Sequence, residues 1–366
     1  MIFATKDSLR QAVEAASGGQ CTVMYTNKGR PVFMRRIPKF RVETLHPALG
    51  TGVHPAFIVG DREIPEFWVS MYPVTLVDGE LVSVPYQVPS SFTLSSAVAA
   101  ARATGPGFHV ITNAEWAAIA LYTIHARGND DDPTSGPDSY GRDRFNPKLF
   151  GQRLDGRTPG DTSASSYVYP GSGPLTWRHD GTPFGIDLMH VLMAPGYLVT
   201  GLLLRNGEIN IIPNNDAALP TVVLTPTGTA WQAILPDGTL VAPGTSGTLK
   251  FDLPPVASYQ GALGSRGAVT LSTSWQAPPF DLEASLDFTE CAFKDMAKNP
   301  GTLQVPSVLH TLLLYPHVPV SLGMASVRPY GTRLPSRGWQ GLASIYMRVS
   351  TSNSAHTTYT YLAYVA

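Results

Sequence analysis

Five aspartates crowd one short stretch, "GNDDDPTSGPDSYGRD" at 128–143: Asp130, Asp131, Asp132, Asp138 and Asp143. Several carboxylates on one flexible loop are what a hard cation such as Ca²⁺ requires. Asp130, Asp131, Asp132 and Asp138 are therefore candidate ligands of a structural Ca²⁺, the one cofactor the sequence suggests. The spacing matches no EF-hand, and a solvated acidic loop is the competing reading. Other chemistry is thin. The chain has no G-x-S-x-G, H-E-x-x-H or C-x-x-C, and no phosphate loop ending in G-K-[ST]. "GALGSRG" at 261–267 is glycine-rich but lacks a strand-to-helix setting. Cys21 and Cys291, the only cysteines, stand far apart and make neither a disulfide framework nor a zinc site. The nine histidines are scattered along the chain. No catalytic residues are assigned.

The other chemically marked stretch is "SIYMRVSTSNSAHTTYTYLAYVA", residues 344–366. From Lys298 onward no Asp, Glu or Lys follows; Arg328, Arg333, Arg337 and Arg348 alone are charged. Ile345, Met347 and Val349 alternate with Ser344, Tyr346, Arg348 and Ser350, the period of a half-buried strand. "TYTYLAYV" (358–365) reads as a second strand, with "TSNSAHT" as the connection. Exposed Tyr, Ser and Asn are the vocabulary of binding loops, where Tyr gives contact area at low entropy cost. A plain Thr/Ser-rich amphipathic hairpin fits the composition equally well.

The elements that must hold these stretches follow from periodicity and caps. Leu9, Val13 and Ala16 in "KDSLRQAVEAAS" (6–17) predict a helix that stops at Gly18-Gly19. "CTVMYT", "PVFMRRI", "HPAFIVG" and "EFWVSMYPVT" read as strands. "SSAVAAARATG" (95–105) predicts a second helix, and "TNAEWAAIALYTIHARG" a third, with Thr112 and Glu115 as its capping box and Gly128 as its stop. Residues 128–185 form a long loop, and "GLLLRNGEINIIPNND" (201–216) a hairpin turning at Asn206-Gly207. Short strands over 221–275 suggest a β-rich insertion. With 366 residues, 43% hydrophobic, the chain can bury a substantial core. Its charged fraction is 14%, against about 25% in ordinary domains, and its net charge is −1. Nothing steers it to nucleic acid. The start lacks a basic segment followed by an apolar run, so no signal peptide is expected. The apolar stretch "LVTGLLL" (198–204) is too short for membrane insertion. A soluble protein, cytoplasmic at synthesis, is expected.

Several segments together resemble a known group. "SGGQCTVMYTNKGRPVFMRRIPKF", "LGTGVHPAFIVG" and "EFWVSMYPVT" are similar to the N-terminal half of phage-borne variable proteins of diversity-generating retroelements. "HVITNAEWAAIA" resembles the helix motif of the formylglycine-generating-enzyme-like branch of the C-type lectin fold. "GLLLRNGEINIIPNNDAA" and "LLLYPHV" are similar to segments of the same phage proteins, and "RLPSRGWQGLASIYMRV…YLAYVA" to their variable region. Trp339 replaces the second Gly of the family's Arg-Gly-Gly, and Ala363-Tyr364-Val365 its closing Gly-Phe-Arg. "MHVLMAPGYL" (189–198) replaces its Gly-Asn-Val-Trp-Glu-Trp segment. In that family an error-prone reverse transcriptase rewrites adenines at the gene's 3′ end, which generates codons for Asn, Ser, Thr, Tyr and His.

The resemblance implies an α+β protein with a C-type lectin fold: two helices, small and mostly antiparallel sheets, long ordered loops and a β-rich insertion. The implied divisions are 1–60 (N-terminal helix and strands), 61–220 (core), 221–300 (insertion) and 301–366, with the variable region at about 337–366. It implies receptor recognition through displayed residues Gln340, Leu342, Ser344, Tyr346, Arg348, Ser350, Ser352, Asn353, Ser354, His356, Thr358, Tyr359 and Tyr361. Ala343, Ile345, Met347, Val349 and Leu362 would face inward. The partner would be a protein or glycan on a cell surface, met from a virion or a cell; no heptad or repeat sets an oligomeric state. Two alternatives accompany this reading. One is an enzyme of the formylglycine-generating or sulfoxide-synthase type, which needs paired cysteines or a histidine cluster. The other is a virion structural protein that binds nothing.

Overall fold

Three helices begin on capping residues and the first two end at Gly18 and Gly105; the expected stop of the third, Gly128, lies outside the described residues. In the computed structural model, which describes residues 7–125, 130–191, 196–254, 265–274, 288–350 and 358–366, α1 is Ser8–Ser17. Asp7 caps it by accepting the Arg10 N–H at 2.9 Å, and Gly18 closes it in the left-handed region at φ 60°. Helix α2, Leu94–Thr104, opens on a Thr93–Ser96 capping box. Helix α3, Asn113–His125, opens on the Thr112–Glu115 box: the Glu115 N–H donates to Thr112 Oγ1 at 3.1 Å, and the Thr112 N–H donates to Glu115 Oε2 at 2.9 Å. A fourth, short helix, Ser307–Thr311 (α4), has no sequence signal comparable to these caps.

Glu115 does more than cap. It is fully buried, and its Oε1 also accepts from Asn215 Nδ2 at 2.9 Å and lies 2.8 Å from His109 Nε2. The other ring nitrogen of His109 lies 3.1 Å from the Gly107 carbonyl, so both nitrogens face acceptors and the doubly protonated ring is favoured. Burial pushes the His109 pKa down, but the Glu115 charge and the hydrogen bonds to Glu115 and Gly107 outweigh it, and the net shift is upward. A folded-state pKa above the unfolded one contributes stability that is complete below about pH 6.5 and is lost as pH rises through the folded value. Urea titrations on either side of neutrality should therefore show this contribution shrinking at high pH, and His109→Gln should flatten the trend. An unchanged slope in that variant would remove the assignment.

The strands form two principal sheets. The smaller is antiparallel throughout, in the order Cys21–Tyr25, Pro31–Pro38, Glu66–Ser70, Leu362–Tyr364, Phe108–Val110. Its fourth strand comes from the end of the sequence, with Ala363 paired to both Val69 and His109. The larger has 13 strands among the described residues, more than the small sheets expected. From one end it runs Thr289–Ala292, Met324–Val327, Ile345–Ser350, Thr332–Arg337, Leu202–Arg205, Glu208–Ile211. The Asn206-Gly207 hairpin is present: Arg205 faces Glu208, and both turn residues have positive φ, 48° and 78°. Strand Lys250–Asp252 pairs with Glu208–Ile211, and Thr270–Ser272 and Ala297–Asn299 extend the sheet further. The described strands of the 221–300 stretch are thus built into the large sheet rather than into a layer of their own. The chain is α+β, with most of its regular structure in strands.

The expected C-terminal hairpin does not form. Ile345–Ser350 lies between Met324–Val327, to which it is parallel, and Thr332–Arg337, to which it is antiparallel. Tyr359–Thr360 pairs with Tyr197–Leu198, and Leu362–Tyr364 enters the other sheet. Alternation sets which face of a strand is buried; it carries no information about which neighbour the strand will find. Both cysteines are free, Cys21 in the smaller sheet and Cys291 in the larger. Among the described residues no helix is long and apolar enough to cross a membrane.

Candidate ligand-binding surface

The C-terminal segment is built on Arg337, whose guanidinium is completely buried. Nε and Nη2 donate to Asn113 Oδ1 at 2.9 and 2.6 Å, Nη1 to the Leu313 and Ser344 carbonyls at 2.9 and 3.0 Å, and Nη2 to the Leu312 carbonyl at 3.0 Å. Burial lowers its pKa to about 9, which leaves it charged at neutral pH. A buried cation is tolerable only when its donors are satisfied, and here one side-chain oxygen and three carbonyls satisfy them. Gly338 follows at φ 83°; a Cβ there would lie 2.3 Å from the Met189 carbonyl oxygen, which restricts this position to glycine.

Residues 339–344 are a tight turn rather than the continuation of an alternating strand. Gln340 sits in the left-handed region at φ 64°. Leu342 is buried, its N–H donating to Asp132 Oδ2 at 2.7 Å and its carbonyl accepting from Trp116 Nε1 at 2.9 Å. Ser344 is buried too, with Oγ donating to the Gly341 carbonyl at 2.7 Å. Regular alternation resumes at Ile345: Ile345, Met347 and Val349 are buried, while Tyr346 and Arg348 are half-buried on the opposite face. Tyr346 meets Trp339 edge to face, with centroids 5.4 Å apart. Arg348 lies over Phe288, 3.2 Å from the ring centroid, donates from Nε to Ser326 Oγ at 2.6 Å and pairs with Glu290. Cross-strand register places Tyr346, Ser326 and Glu290 in one row. Burial lowers the pKa of Arg348, against the pull of Tyr346 and Glu290, and raises that of Tyr346.

The last strands carry a second group. Thr358 exchanges backbone hydrogen bonds with Phe92 at 2.9 Å in both directions, and its Oγ1 donates to the Gly196 carbonyl at 2.5 Å. Tyr359 is half-buried edge to face with Tyr167, centroids 5.0 Å apart. Tyr361 is fully buried against Tyr197, with its hydroxyl donating to the Asp187 carbonyl.

Of the residues expected on display, Gln340, Tyr346, Arg348, Thr358 and Tyr359 retain accessible surface. Leu342, Ser344 and Tyr361 do not: a closed turn buries the first two, and the third fills the space beneath Tyr197. Ser352, Asn353, Ser354, His356 and the side chain of Ser350 lie outside the described residues. Ala343, Ile345, Met347, Val349 and Leu362 all face inward as expected. No family model matches the chain, and no curated protein does.

The acidic loop is ordered by its own carboxylates, and the candidate Ca²⁺ ligands do not converge. Asp130 turns to His125 Nδ1 at 2.7 Å, Asp131 accepts the Ser321 N–H at 2.6 Å, and Asp138 accepts the Tyr140 and Arg142 N–H groups at 2.7 and 2.9 Å. Asp132 is buried beneath Leu342, and burial raises its pKa against the pull of its N–H donors. Among the described residues no group of three or more His, Cys, Asp or Glu is placed to hold a metal ion. Sequence reasoning missed Glu290, Phe288 and Ser326, which frame Arg348 from remote strands without a local signal. It also missed Arg144, whose Nη2 donates to Gln340 Oε1 at 3.2 Å and ties the long loop to this surface.

Proposed function

We propose that the chain is a ligand-binding protein whose C-terminal segment carries a replaceable recognition surface. On this reading it is a variable protein of a diversity-generating retroelement on the formylglycine-generating-enzyme-like branch of the C-type lectin fold. The observation that supports it is the division of labour in Ile345–Ser350: one face locked in the core, the other carrying Tyr346 and Arg348 beside Trp339. Aromatic and arginine side chains of this kind supply most of the energy in protein interfaces. A protein or glycan on a cell surface is the proposed partner, with weak single contacts strengthened when several copies act together.

The reading predicts a sharp contrast in tolerance. In a library that randomises one position at a time and scores protease resistance, Gln340, Tyr346, Arg348 and Tyr359 should accept most residues, each within about 1 kcal/mol of the parent. Leu342, Ser344 and Tyr361 should accept few. Equal intolerance at Tyr346 and Arg348 would make them structural and end the proposal. The genetic half has its own test: the neighbouring DNA should hold a near-copy of the 3′ coding end, differing at adenines, beside a reverse transcriptase gene.

A further inference from the structure

Four of the nine histidines meet in one cluster. His46 precedes the Pro47–Leu49 turn, His125 ends α3, and His310 and His317 flank the end of α4. The rings of His46, His125 and His317 have centroids 5.1 to 5.5 Å apart, and His310 lies 6.1 Å from His317. Their hydrogen bonds sort their roles. Asp130 Oδ1 lies 2.7 Å from His125 Nδ1, so that nitrogen carries the proton and the lone pair of His125 is on Nε2. This Nε2 is 2.8 Å from His317 Nε2. His46 uses Nδ1 to accept the Ala48 N–H, and His310 gives Nδ1 to the Tyr315 carbonyl. These two rings wall the pair without joining it.

Two imidazole nitrogens that face each other so closely must share either a proton or a cation. A shared proton joins the two Nε2 atoms, whereas a cation would take both lone pairs, with Asp130 already behind His125 as the carboxylate a metal-bound histidine uses; in either state His317 Nδ1 is buried with no partner among the described residues. We propose that His125 and His317 bind a divalent transition-metal ion of the Zn²⁺ class, with water completing the coordination. At metal–nitrogen bonds of about 2.0–2.1 Å, two ligands of a tetrahedral ion stand roughly 3.3 Å apart, so the nitrogens need to separate by only about half an ångström. Asp130 supplies the carboxylate that orients a metal-bound histidine and raises its basicity. On binding, the His317 proton moves from Nε2 to Nδ1, and none leaves the protein. This inference does not depend on the recognition reading.

The test uses the whole chain without an affinity tag. Calorimetric titration with Zn²⁺, and with Co²⁺ as a visible-absorption probe, should give saturable micromolar binding. His125→Gln and His317→Gln should each abolish it, Asp130→Asn should weaken it about tenfold, and His310→Gln should leave it as it was. Because His125 is buried and its variant can fail to fold, the half-buried His317 decides if the two disagree. No saturable heat in the parent, or binding retained in folded His317→Gln, overturns the proposal.

Discussion

Arg337→Ala should cost the protein most of its stability. The substitution strands Asn113 Oδ1 and the carbonyls of Leu313 and Ser344 in the interior, while the Leu312 carbonyl keeps the Asn113 Nδ2 donor at 3.2 Å. Each buried acceptor left without a partner costs about 1–3 kcal/mol, so three of them cost at least about 3 kcal/mol. That is a large fraction of the roughly 5–15 kcal/mol that holds an ordinary domain together. Lys is no substitute, since an ammonium has three donors and cannot span acceptors on α4, α3 and the C-terminal turn at once. Urea denaturation of both variants is the measurement, and a loss below about 1 kcal/mol in Arg337→Ala would show that the cluster relaxes at little cost.

Glu115→Ala is expected to follow closely. It removes the capping box of α3, leaves the Thr112 N–H without its acceptor and Asn215 Nδ2 with the Ala56 carbonyl alone, and strips His109 of its counter-charge in a fully buried setting. Removing one member of a buried ion pair typically costs about 3–5 kcal/mol. Glu115→Gln separates the contributions. It keeps the volume and one acceptor but turns an amide toward a neighbouring donor, so a loss of about 1–3 kcal/mol is expected. The variant should also abolish the pH trend that His109→Gln flattens. Thermal melts of both variants across pH check this, and equal stability of Glu115→Gln and the parent would assign Glu115 to local capping alone.

What the sequence disclosed is what lies within one turn of helix or one hairpin. The Thr112–Glu115 box, Gly18, and Asn206-Gly207 all do locally what their types require. Even in these cases, the second role of Glu115 stayed hidden because Asn215 is distant in sequence. The alternation at Ile345–Val349 was legible for the same local reason. Its extrapolation backward to Leu342 and Ser344 failed because Gln340 and Gly341 turn the chain, with φ of 64° and 150°. Tyr361 failed differently: a tyrosine in a strand can face either way, and only the Tyr197 and Asp187 contacts decide. The histidine cluster joins four positions that nothing in the linear order groups.

The strand Leu362–Tyr364 lies inside the smaller sheet, between Glu66–Ser70 and Phe108–Val110. Those two neighbours precede it in the chain by a long way, so the sheet holds a gap between them until Leu362–Tyr364 has been made. Both edges of that slot wait with unpaired N–H and C=O groups, the kind of exposed border that invites intermolecular pairing. A polypeptide that stops before Leu362 therefore keeps the slot open, however sound the rest of its sequence.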